Sequence, residues 1–190
     1  MMTTTVRRAA AVLGAGIFAS AILTGCGSED SAASTVPEGW KTLKTSSVSV
    51  SYPPGFAEQG DAERSKFNAA AATLTEAGKA VGMITVQLDF TNADSAEEAA
   101  IGAKAGVQLG STLKGQRDVK VAGTDDAKRI DFEFSSTGKA NTPPKGTRIG
   151  GVIVTGLDSK DKTFAVRIDA QKGKLDDADL KKIIDSVEVR

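Results

Sequence analysis

Histidine is absent from all 190 residues. No imidazole metal ligand, Ser-His-Asp triad or histidine pH switch can be built from this chain. Cysteine occurs once, at Cys26, so no disulfide can close within it, and the fold must rest on its core alone. Charge of neither sign predominates, with 24 Lys and Arg against 24 Asp and Glu. Such a balance supplies no basic excess for a polyanion, and a nucleic-acid partner is not expected. A long apolar run is missing as well. The one candidate, Ala9 to Leu23, has 15 residues, about 22 Å as a helix, against a bilayer core of roughly 30 Å.

What is present at the N-terminus is an export pattern. Arg7 and Arg8 precede that apolar run, as the positive and hydrophobic regions of a secretion signal do. The run ends at Leu23-Thr24-Gly25-Cys26, which carries the residue types of a bacterial lipobox at all four positions. Leu23 anchors the site, the small Thr24 and Gly25 admit the signal peptidase, and the Cys26 thiol receives a diacylglyceryl group. The plainer alternative is a chance cysteine after an ordinary signal, which would leave an exported thiol open to oxidation. Two acyl chains hold a protein to a membrane stably, where one does so only marginally. Val6-Arg7-Arg8 partly resembles a twin-arginine signal, but Ala9, Ala10 and Ala11 follow where bulky residues are usual, so the general secretory route is preferred.

Removal of the 25-residue leader leaves 165 residues with 22 basic and 24 acidic groups. Residues 26–36 read as the lipidated cysteine and a polar tether, with an r.m.s. reach of about 17 Å. Residues 37–190 read as one domain. Val48, Val50 and Tyr52 alternate with serines as a strand, stopped by Pro53-Pro54-Gly55 and followed by Phe56 as a core plug. Residues 67–80 read as an irregular strand. Residues 83–90 follow as a firmer one, with Ile84, Val86, Leu88 and Phe90 on one side. Ser95-Ala96-Glu97-Glu98 is a capping box opening an alanine-rich helix to about Leu109, ended by Gly110. Strands are expected at 117–122 and 127–134 around a turn at 123–126, then at 148–157 and 163–170 as a second meander. A final helix opens at Asp176 with Leu180, Ile183, Ile184 and Val187 on one stripe. Strands in antiparallel order with inserted helices make an α+β pattern.

Several segments resemble a known family. Val48-Ser49-Val50-Ser51-Tyr52-Pro53-Pro54-Gly55-Phe56 is similar to the opening of PsbP-like domains. Residues 121–130 resemble that family's central hairpin, and Ile183-Ile184-Asp185-Ser186-Val187-Glu188-Val189 its closing helix and short strand. The likeness is greatest to LpqN-type lipoproteins of Gram-positive bacteria. It implies an α/β/α sandwich, an antiparallel sheet flanked by helices on both sides, and an accessory or partner-binding role. The matched motifs are structural, so no site residue carries over.

Candidate chemistry is sparse. Asp176, Asp177 and Asp179 lack a calcium-loop pattern and read as helix capping, and Asp125-Asp126 reads as a turn. Gly150-Gly151 and Gly78-Lys79 lack phosphate-loop spacing. Trp40 reads as packing at the domain entrance. The long connection from Ser135 to Thr147 is the candidate partner-binding loop, through Lys139, Asn141 and Lys145, with Arg148 just beyond. Its plainer reading is a mobile, solvated excursion.

The expectation is a non-enzymatic lipoprotein without metal or cofactor, on the outer face of the cytoplasmic membrane, bound to lipid by its anchor and to another envelope protein. A small-ligand or lipid-binding module and a cryptic hydrolase using a Ser-Lys pair are the alternatives.

Overall fold

A computed structural model describes residues 36–107 and 110–190. The leader, Leu23-Thr24-Gly25-Cys26, residues 27–35 of the tether and Leu109 lie outside the described residues. In chain order the elements are β1 (Lys41–Lys44), β2 (Val48–Tyr52), β3 (Phe56–Glu58), β4 (Ala70–Glu76), β5 (Lys79–Leu88), α1 (Ala96–Ala105), β6 (Thr112–Asp118), β7 (Ala127–Ser135), β8 (Arg148–Leu157), β9 (Thr163–Gln171), α2 (Asp177–Asp185) and β10 (Glu188–Val189). Neither helix is long and apolar enough to cross a membrane.

The expected α+β architecture is the one observed. A seven-stranded sheet in the order β3-β4-β5-β9-β8-β7-β6 is antiparallel at every pairing. Each of its faces carries an apolar cluster, because successive side chains on a strand point to opposite sides. Ile84, Val86, Val154, Phe164 and Val166 point to an inner face, where they meet Ile183 and Ile184 of α2 and Val48, Val50 and Tyr52 of β2. Ile130, Phe132, Ile153 and Ala165 point to the outer face and pack on Ala100 and Ala103 of α1. Each large side chain removed from water in this way contributes about 1.5–3 kcal/mol.

A small second sheet, β1-β2-β10, shares the inner face with α2. The family resemblance implied the short closing strand, β10, but not its pairing with β2 in a sheet separate from the large one.

Helix starts follow their caps. Ser95 Oγ accepts from the Glu98 amide at 3.2 Å, and Asp176 Oδ1 from the Asp179 amide at 2.7 Å. Glu98 reaches back to the Asp94 amide, 2.9 Å, rather than to that of Ser95. Helix α1 ends at Ala105, short of the expected Leu109. Gly106 caps it, its amide donating to the carbonyls of Gly102 and Ala103.

Two strand expectations are corrected. Residues 117–122 were expected to pair with β7, but β6 runs over Thr112–Asp118. Its seven residues are exposed and polar in pattern, so no dry face announces them. Val121 is instead drawn into the inner core. Phe90 was expected beside Ile84 and Val86, yet it packs on the outer cluster. Asp89, at φ +49°, takes the left-handed conformation and ends the alternation one residue earlier.

Candidate functional site

The connection between β7 and β8 is solvated over most of its length, as its plainer reading has it, and is closed by its own hydrogen bonds. The Ser136 amide donates to Thr147 O and its carbonyl accepts from Gly146, both at 2.8 Å. The buried Ser136 hydroxyl donates to Pro143 O at 2.6 Å and accepts from the Gly138 amide at 3.2 Å. Thr142 donates its amide and hydroxyl to Lys139 O, at 3.1 and 2.7 Å. Asn141, at φ +63°, turns its carbonyl to the Ala80 amide of β5, 2.8 Å away.

This bracing brings Lys139, Asn141 and Lys145 together on one exposed loop. Arg148 is not among them. It begins β8, and its guanidinium pairs with Glu133 on the inner side of the sheet, a carboxylate shared with Lys172 Nζ at 2.7 Å.

Beneath the loop, on the outer face, lies a cleft of about 150 Å³ lined by Val81, Met83, Phe134, Pro143, Ile149 and Asp169. Phe132 and Phe134 stack with centroids 6.1 Å apart, and the Arg167 guanidinium lies 4.9 and 6.0 Å from the two rings. Arg167 Nε donates to Asp169 Oδ2 at 2.8 Å. The other oxygen, Oδ1, is buried with no hydrogen-bond partner among the described residues. Thr73 Oγ1 shares that state and sits in the same cross-strand row, Thr73–Met83–Asp169. Burial pushes the Asp169 carboxyl above its usual range, against the opposing pull of Arg167. The cleft therefore offers apolar walls with the Asp169 carboxyl at one side.

Neither Arg167 nor Asp169 was singled out by the sequence. They alternate with Val166 and Ile168, which reads as a solvated strand face; their mutual i, i+2 spacing was the available signal. A second cleft, about 430 Å³, opens on the inner face between Gly150, Lys172, Leu175, Leu180, Arg129 and Asp131.

The remaining candidates have structural roles. Asp176 caps α2, and Asp179 pairs with Lys182 at 3.0 Å. Among the described residues no three metal-ligating side chains gather. Asp126 and Asp118 flank Lys128 Nζ at 3.1 and 2.7 Å beside the turn. Trp40 packs on the inner core with Lys182 Nζ 5.6 Å from its ring centroid.

No family model matches the sequence, and no curated protein is similar to it. Solved structures are similar at low identity. The cyanobacterial PsbP (CyanoP) of Synechocystis sp. PCC 6803 is 9% identical over 88% of this chain and 99% of that one, at a TM-score of 0.49. The Ran-binding protein Mog1p of Saccharomyces cerevisiae is 13% identical over 71% of this chain and 78% of its own, at 0.46. A Bacteroides thetaiotaomicron protein is 16% identical over 75% of this chain, at 0.45; the match spans 45% of that protein's length. At such identities and scores these likenesses carry no argument about activity or partner.

Proposed function

We propose that this chain is an exported, lipid-anchored module of the cell envelope that binds a protein partner and performs no catalysis. Cys26 carries the anchor, on the outer face of the cytoplasmic membrane, and the loop between β7 and β8 meets the partner. The observation that carries this reading is the braced loop with Lys139 and Lys145 exposed at its surface. A rigid loop loses little conformational freedom on binding, which favours recognition.

Val36 shares a cleft with Ala122, Glu188 and Arg190, and Ala122 lies near the start of β7, whose nine residues span about 30 Å before the loop begins. The loop therefore stands at the end of the domain away from Val36. Crosslinking in intact cells followed by mass spectrometry tests the reading. One reproducible envelope partner is expected, and none at native abundance would contradict it.

A small-ligand role is the second reading, favoured by the unpartnered Asp169 Oδ1 at the cleft. Native mass spectrometry of the protein would report a bound molecule, and a single unliganded mass would dismiss it.

A further inference from the structure

The balanced net charge conceals a polarity. Lys79, Lys139, Lys145, Arg148, Lys172 and Lys174 all lie at the end of the large sheet where β7 gives way to β8. Glu133 is shared by Arg148 and Lys172, and Glu76 pairs with Lys174 at 2.5 Å. Asp176 and Asp177 open α2 nearby, with the Asp176 carboxylate committed to its cap. Lys79, Lys139 and Lys145 make no ion pair with another described residue, and all three are exposed. The opposite end mixes Asp89, Asp118, Asp125, Asp126, Asp158 and Asp161 with Lys120, Lys128, Lys160 and Lys162 around the β6–β7 and β8–β9 turns, so its balance is acidic.

The three lysines share one framework. The Ala80–Asn141 hydrogen bond joins the loop to the start of β5 beside Lys79. At Gly138 a β-carbon would lie 2.9 Å from the Lys145 amide, so the two arms of the loop run in contact. The 150 Å³ cleft opens below, with walls of Val81, Met83, Pro143 and Ile149. That is room for one aliphatic side chain. No cationic side chain is among the residues that line the cleft, so an anion entering it would go unpaired.

We propose that this end of the domain docks an acidic protein segment, in which carboxylates flank a single apolar residue. The carboxylates meet Lys79, Lys139 and Lys145, and the apolar side chain enters the cleft. This rests on the partner-binding reading above and names the chemistry of the partner. A bare polyanion satisfies the lysines but leaves the apolar walls unused.

The test is fluorescence anisotropy of the lipidated protein reconstituted in neutral phosphatidylcholine vesicles. The probe is a labelled peptide with a central leucine between paired glutamates. Companion peptides replace the leucine by serine or the glutamates by lysines, and phosphatidylglycerol vesicles serve as a lipid competitor. The acidic leucine peptide should bind most tightly and weaken about tenfold between roughly 50 and 300 mM salt, as screened surface charges require. Lys139→Glu with Lys145→Glu should weaken it by a further factor of about ten, while Lys120→Glu at the opposite end should leave it unchanged. Equal binding of the leucine and serine peptides, indifference to the loop reversal, or displacement by the phosphatidylglycerol vesicles would overturn the proposal. A reproducible partner in cells whose capture is unaffected by the loop reversal would overturn this surface while leaving the partner reading intact.

Discussion

Gly151 on β8 lies directly opposite Phe132 on β7, and the Phe132 ring fills the space that a β-carbon on Gly151 would need. That β-carbon would lie 2.3 Å from Phe132 Cζ and 2.7 Å from Asp169 Oδ1. The glycine thus lets the aromatic pair, Arg167 and the buried carboxyl share one patch of sheet. Gly151→Ala should cost about 1–3 kcal/mol through overpacking. Its neighbour Gly150 has open space at the same position, so Gly150→Ala should be neutral or stabilising by up to about 1 kcal/mol. Paired urea melts distinguish the two, and equal losses would contradict the packing described.

Gly123 meets the chain terminus more tightly. It sits at φ +82°, and a β-carbon there would be 2.0 Å from Val189 O. Gly123→Ala should therefore cost at least about 2 kcal/mol, from strain and from separation of β10. The Val189 amide, which donates to Ala122 O at 2.8 Å, should lose its hydrogen-exchange protection first.

Two aspartates should respond to pH with opposite signs. Asp169 has its carboxyl raised by burial. Between its unfolded and folded values the native state keeps a proton that the unfolded state releases, so stability falls as pH rises through that window. Asp158 is also opposed by burial, but the Lys160 and Lys162 amides and the Ser47 hydroxyl outweigh this and hold its carboxyl below the usual range. Its contribution is present above the unfolded value and disappears as pH falls through the folded one. Raising pH from about 3 to 7 should shift relative stability toward Asp169→Asn and away from Asp158→Asn, each against the parent protein. Urea melts across that range give the comparison.

Cys26→Ala should block lipidation and release or misprocess the protein. Membrane fractionation with metabolic acyl labelling checks it, and normal membrane retention of the variant would refute the anchor.

Much of the architecture was legible where a strand has a dry face. The strand expected over 148–157 matches β8 as observed, and Leu180, Ile183 and Ile184 cover the inner core from α2 as expected, with Val187 joining them from beyond the helix end. Reading became unsafe where pairing, not burial, holds the chain. β6 is fastened to β7 by its backbone and to α1 by Gln116, which bonds Glu97 and Lys104 at 2.8–2.9 Å. None of that leaves an apolar period. Phe90 was misjudged because one left-handed residue, Asp89, reverses the face.

The candidate site was half legible. The loop's length and its lysines were visible, but its closure by the Ser136 hydroxyl and Asn141 carbonyl depends on the fold. Arg148 seemed to belong to the loop by proximity in sequence, while strand alternation turns it to the other face. The cationic end was hidden in a net charge near zero, since a sum over the chain carries no position. Lys79 and Lys139 are distant in sequence and share one end of the sheet because β5 and the loop are joined at Ala80 and Asn141.

The most direct measurement is position-resolved photo-crosslinking in intact cells, with the crosslinker carried at position 139 in one strain and at position 125 in another. Capture of one reproducible envelope protein from position 139, and not from position 125, is the predicted result. Capture from position 125 alone would contradict the docking end, and capture from neither position at native abundance would contradict partner binding itself.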